Sequence, residues 1–264
     1  MSNFKLLSAL CLLFGFHFSA LATPSDLSLQ GFDDAEVNTM IKAADDYRLD
    51  QTSAKVVSEV KLYKNEKLDK TRQYTVYMRD NRESLVLFNS PVEAGQKMLM
   101  LGDNYWLLMP KSRRPIRITP MQKLLGEASV GDISTLTWSE DYQGKWQKTE
   151  SVSLENGEQI QAEKIKLKAI TKGASYFTID LWLEQETHFP IKADLYLRSG
   201  KMAKEAWFTK GTREGEIKAI AMVLNDQIQT NQKTVIEYKE ITGMEIDDKY
   251  YNPAYLSRTK NLDL

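Results

Sequence analysis

The chain has 264 residues, 42% of them hydrophobic, with 35 basic and 36 acidic side chains and a net charge of −1. That balance is no footprint for nucleic acid, and the length suits one large β-sandwich or barrel. One cysteine, Cys11, and two histidines, His17 and His188, leave little material for thiolate, zinc or serine-hydrolase chemistry.

Residues 1–22 read as an export signal. Lys5 supplies the positive n-region, Leu6 to Phe18 the apolar run, and Ala20-Leu21-Ala22 a small-x-small site, so cleavage is expected between Ala22 and Thr23. The apolar run is shorter than the roughly 20 residues a spanning helix needs. Leu10 stands before Cys11 where a lipoprotein signal wants a small residue, so Cys11 and His17 are expected to leave with the leader. The remaining domain, residues 23–264, then carries 34 basic and 36 acidic groups, or −2, and His188 as its one imidazole. It is expected to be peripheral to a membrane at most.

An amphipathic helix is predicted over Ala35 to Arg48, with Val37, Met40, Ile41, Ala44 and Tyr47 at helical spacing and Asp33-Asp34 at its N-terminus. Strand-like runs follow. Val56, Ser58, Val60 and Leu62 alternate, as do Tyr74, Val76 and Met78. Later, Phe177, Ile179, Leu181 and Leu183 share one face, and Ile191, Ala193, Leu195 and Leu197 repeat the pattern. Turns are predicted at Lys64-Asn65, Asn156-Gly157, Ser199-Gly200, Lys210-Gly211, Glu214-Gly215 and Thr242-Gly243. A second, short helical stretch is predicted around Met121 to Leu125 and Asp132 to Trp138.

About 10–11 strands joined by short connections predict a mainly β fold: a single, strongly curved antiparallel sheet, or half-closed barrel, with a few helices lidding its concave apolar side. No interdomain linker interrupts it.

The segment Gly95 to Ile133 is unusual for its large adaptable apolar groups, Met98, Met100, Trp106, Leu107, Leu108 and Met109, followed by the cations Lys111, Arg113, Arg114 and Arg117. An apolar cavity is expected to draw on Leu99, Leu101, Trp106, Met109, Phe177, Ile179, Leu181 and Leu195. Arg113, Arg114 and Arg117 are candidates for contact with a headgroup or partner. The acid pairs Asp33-Asp34, Asp45-Asp46 and Asp247-Asp248 read as helix ends and turns, not metal ligands. His188, in Glu186-Thr187-His188-Phe189-Pro190, has no nucleophile motif beside it, so neither an enzyme nor a cofactor is expected.

The pattern Pro91, Gly95, Leu99, Gly102, Trp106, Pro110, Arg113-Arg114, Arg117, Gly126 and Asp132-Ile133, with Pro190 to Phe208 and the Asn252 to Leu256 tail, resembles the LolA-like outer-membrane lipoprotein-sorting protein family. The resemblance implies a periplasmic half-barrel whose helices lid a hydrophobic cavity for the acyl chains of a lipoprotein or lipid. It also implies an inner-membrane exporter of the RND type as a partner. No lid-fixing arginine is carried over to Arg72, Arg79 or Arg82. The competing expectation is a periplasmic adaptor or sensor that uses the same fold to bind and regulate a membrane exporter or signalling protein.

Overall fold

The computed structural model describes residues 31–264 except 113, 126–127, 136, 226–230 and 260–261. The expected leader and its cleavage site lie outside the described residues. No described helix is long and apolar enough to cross a membrane.

The chain opens with helix α1 (Asp34–Asp46). Asp33 caps it by accepting from the Ala35 and Glu36 amides while the Glu36 carboxylate accepts from the Asp33 amide, a reciprocal capping box. Its apolar stripe packs on the sheet, and Gly144 lies directly beneath, where a β-carbon would come within 2.5 Å of Ile41 Cδ1.

Six strands follow: β1 (Ala54–Lys64), β2 (Lys67–Arg79), β3 (Glu83–Phe88), β4 (Lys97–Leu101), β5 (Asn104–Leu108) and β6 (Ile116–Ile118). A small hairpin, β7 (Lys123–Leu125) and β8 (Ala128–Ser129), leads into the short helix α2 (Val130–Ser134). Seven more strands complete the main sheet: β9 (Tyr142–Ser153), β10 (Gln159–Ala169), β11 (Thr178–Glu184), β12 (Pro190–Tyr196), β13 (Met202–Arg213), β14 (Glu216–Asn225) and β15 (Gln232–Gly243). A C-terminal segment carries α3 (Pro253–Leu256).

Thirteen strands form one antiparallel sheet in the order β6-β5-β4-β3-β2-β1-β15-β14-β13-β12-β11-β10-β9. It is two meanders joined where β1 pairs with β15. The sheet does not close, and fits a curved half-barrel with β6 and β9 as its edges. Those edges are neighbours in sequence, so the chain between them must cross the whole concave face. The described residues of 119–141 make that crossing and form a lid.

Alternation explains which residues face the lid. Ala54, Val56, Ser58, Val60 and Leu62 of β1 are buried in strict period two, and Tyr74, Val76, Met78, Ile179, Leu181, Leu183, Ala193 and Leu195 join the same core. The hairpin at Asn65-Glu66 has φ of 48° and 62°, the left-handed pair that matches the twist of adjacent strands.

Four expectations need correction. The sheet has thirteen strands instead of ten or eleven, because the segment around β4 to β6 divides into strands of five, five and three residues. Residues 123–125 form a strand; a short apolar run does not distinguish helix from strand by period alone. Lys210-Gly211 lies inside β13 and Gly243 ends β15, so neither pair is a hairpin turn. Ile191 also leaves the concave register, because the β11–β12 pairing shifts at Trp182/Leu183 and places Ile191 beside Trp182 in a separate cluster.

Candidate functional site

The concave face and the lid meet in a large apolar core. The lid contributes buried Ala128, Val130, Ile133 and Trp138, with Met121 and Leu124 packed against it. Between them remains a space of about 40 Å³, bordered by Ile179, Ala193, Leu195, Ala206, Phe208 and Met222 from the sheet. At ~10–15 Å³ of such volume per water, that holds about four waters at most.

Polar latches hold the lid to this apolar surface. Lys204 of β13 is 2% exposed, and its Nζ lies 2.6 Å from Asp132 Oδ2 of α2. Tyr176 donates to Asp132 Oδ1 at 2.6 Å, while the Ser129 amide and hydroxyl donate to Oδ2 at 2.8 and 2.7 Å. Burial alone would raise the Asp132 carboxyl, but the adjoining ammonium and these donors outweigh it and hold it below the usual carboxylate range. The Tyr176 phenol is pushed far up by burial and by the Asp132 charge.

A second latch comes from the end of α1. Asp45, 2% exposed, accepts from the Trp138 and Ser139 amides at 2.6 and 2.8 Å. Burial drives its carboxyl up to about 6, against the opposing pull of those amides and Arg48. The Arg48 guanidinium lies 4.1 Å over the Trp138 ring, which meets Phe208 edge to face at 5.5 Å. Arg48 is 3% exposed, and its Nε and Nη1 have no hydrogen-bond partner among the described residues.

At the lid's far end, Arg82 bridges Asp103 at 2.9 Å and Asp141 at 2.7 Å. Between the end of α1, β2, β3 and the lid opens a groove of about 450 Å³, rimmed by Asp46, Asp80 and Glu140 and reaching Met78 and Met100 of the core. Among the described residues no cluster of His, Cys, Asp and Glu suits a metal ion.

The structure divides the predicted cavity residues between two faces. Ile179, Leu181 and Leu195 lie in the concave core. Leu99, Leu101 and Trp106 lie on the convex face, packed with Tyr77, Leu85 and Leu108 under the C-terminal segment, and Met109 borders a pocket beside Leu256. The expectation that they share one cavity with Leu181 is therefore corrected. The physical reason is parity: β4 and β5 are apolar at consecutive positions because both their faces are covered, so alternation is hidden. The inward positions belong to Met98, Met100, Tyr105 and Leu107. Phe177 sits just before β11, half-buried beneath the Arg198 guanidinium at 4.7 Å.

Arg114 is exposed in the loop before β6. Arg117 stacks on Trp106 at 4.6 Å and donates to Asn104 Oδ1 at 2.5 Å, on the convex side. Arg113 lies outside the described residues. His188 occupies the β11–β12 connection with φ of 59°, its amide donating to the Glu184 carbonyl at 2.8 Å.

Sequence reasoning missed Asp45, Arg48, Asp132 and Lys204. A signal existed for two of them: Asp45 falls four residues after Ile41 in the apolar stripe of α1, and Lys204 shares parity with Ala206 and Phe208. A charge in an apolar register calls for a buried partner.

A family model described as "-like: Uncharacterized protein" matches residues 80–258. No curated protein matches the sequence. Among solved structures, a LolA superfamily protein from Nitrosomonas europaea is 25% identical, with a TM-score of 0.74 over 82% of this chain and 97% of its own. A DUF1329 family protein from Desulfovibrio piger is 18% identical, with a TM-score of 0.64 over 85% and 100%. A putative outer membrane lipoprotein-sorting protein domain from Vibrio parahaemolyticus is 19% identical, with a TM-score of 0.64 over 86% and 100%. The last two likenesses establish the fold alone.

Proposed function

Because the chain belongs to the LolA-like outer-membrane lipoprotein-sorting protein family, we propose that it is a periplasmic carrier that shields the acyl chains of a lipoprotein or lipid on their way towards the outer membrane. Burial of each methylene is worth about 0.8 kcal/mol, so a long acyl chain does not cross water without a shelter. The observation that carries the reading is the lid: an apolar strap laid across an apolar concave sheet, tied down through a few polar contacts at Asp45 and Asp132. The space of about 40 Å³ beneath it is far too small for an acyl chain, so cargo enters by displacing the lid and taking over the surface it covers. An inner-membrane exporter of the RND type is the partner from which such cargo would be received.

The test is binding of a fluorescent acyl probe, with folding checked by circular dichroism. Leu195→Asn, on the concave face, is expected to weaken the probe at least tenfold. Trp106→Asn, on the convex face, is expected to stay within twofold of wild type. If the folded wild-type protein binds no probe and purifies from the periplasm without lipid, the carrier reading fails and the adaptor reading takes its place.

A further inference from the structure

The sequence pattern around Gly95, Met109, Pro110 and the Asn252 to Leu256 tail has no part in the concave core. These residues meet instead on the convex side. Gly95 has φ of 81°, and a β-carbon there would lie 3.1 Å from Pro110 Cγ. Asn252 caps α3 by accepting from the Ala254 and Tyr255 amides at 2.9 and 3.2 Å, which sets Leu256 against the sheet. Together they enclose a pocket of about 230 Å³ with apolar walls of Leu108, Met109, Pro110 and Leu256.

Lys97, at the start of β4, lines this pocket and is 8% exposed. Its Nζ donates to the Thr259 carbonyl at 3.0 Å, and no carboxylate among the described residues pairs with it. An ammonium has three donors, and a buried cation without a counter-charge is costly. Burial accordingly pushes the Lys97 ammonium below the usual lysine range. The Ser257 and Thr259 hydroxyls donate back to the Ala254 and Tyr255 carbonyls at 3.0 Å each, so among the described residues the ammonium is the charged donor the pocket offers.

We propose that this pocket is a second ligand site, distinct from the concave face, for a carboxylate borne on an apolar chain, with Lys97 as its counter-ion. One buried cation matches one negative charge. The apolar walls suit the chain and the polar lining at Lys97, Ser257 and Thr259 suits its charged end, and at ~10–15 Å³ of such volume per water the pocket has room for about 15–23 waters, enough to admit a medium-length chain. The site does not depend on the carrier reading, since it shares no lining residue with the concave core.

Octanoate is the probe, with octan-1-ol as the uncharged control, observed by NMR of the purified protein labelled at lysine Cε. Octanoate is expected to shift the Lys97 resonance saturably and to raise the pH at which it titrates, and octan-1-ol to do neither. Lys97→Met and, with Lys97 retained, the pocket-filling Met109→Trp are each expected to weaken octanoate at least tenfold in calorimetry. Both should leave uptake of the acyl probe within twofold. If Lys97→Met fails to fold, Met109→Trp decides. Octanoate that leaves the Lys97 resonance unmoved, octan-1-ol that binds equally well, or no binding at millimolar concentration overturns the proposal. A carrier failure is separate, and shows as loss of the acyl probe with the octanoate response intact.

Discussion

Asp45 is the residue at which the lid is tied to α1, and its chemistry gives the latch a pH dependence. The carboxyl rises from 3.8 to about 6 on folding, so the folded state binds a proton that the unfolded state releases between those values. Stability contributed by this group is therefore greatest near pH 4, falls as pH rises to about 6, and stays low above it. A shift of two units corresponds to about 3 kcal/mol. Asp45→Asn removes the titration, so the melting temperature of wild type relative to this variant should decline between pH 4 and 6.5; a constant difference would contradict the assignment. Asp132 has the opposite sign. Its lowered carboxyl contributes above the ordinary aspartate range and loses that contribution as pH falls below its folded value. Lys204→Met leaves the Asp132 charge buried without its ammonium, an expected loss of about 3–5 kcal/mol in denaturant unfolding, and Lys204→Met with Asp132→Leu should recover most of it. His188→Ala, at a hairpin corner, is expected to leave acyl-probe binding unchanged.

The lid is the element on which function turns, and Gly131 fits it to the sheet. A β-carbon on Gly131 would come within 2.9 Å of Ser175 Cβ and 3.3 Å of Pro120 Cβ, so even alanine forces α2 outward. Gly131→Ala is expected to loosen the lid and speed acyl-probe entry severalfold in stopped-flow fluorescence, with the sheet's circular dichroism unaltered; entry at the wild-type rate would show that lid seating does not limit access. Of these elements, α1 was legible from its spacing and cap, and β1, β11 and β12 from their alternation, because each has one dry face and one wet face. The lid was legible only as a segment of unusual composition. Its hairpin and five-residue helix are too short for a period to develop, and their conformation is set by crossing from β6 to β9, which no local pattern encodes. The same limit applied to β4 and β5. With apolar residues at every position from Met98 to Leu101, nothing local said that Leu99 and Leu101 turn away from the lid while Met98 and Met100 face it.

At the scale of the whole sheet, each face has its own cover and its own task. The lid covers the concave side, which the carrier reading requires to be uncovered and refilled in each cycle. The C-terminal segment covers the convex side over β2 to β5 through Met244, Ile246, Tyr250, Tyr251 and Leu256, and nothing in that reading requires it to move. Tyr251 anchors this second cover: it is 6% exposed, its hydroxyl lies 3.5 Å from the Tyr77 carbonyl, and the Arg79 guanidinium stacks on its ring at 3.8 Å. Arg79 in turn pairs with Glu83 and with Asp248 of the same segment. Truncating such an aromatic side chain removes its burial and leaves a void, at a cost of about 3–5 kcal/mol. Tyr251→Ala should therefore lower stability by that amount in urea unfolding, yet bind the acyl probe within twofold of wild type at a temperature where it is fully folded. Equal loss in stability and probe affinity would mean that the convex cover holds the concave surface in shape, and the division of labour between the faces would have to be abandoned. Loss of stability alone places the C-terminal cover in the fixed scaffold, against which the lid opens.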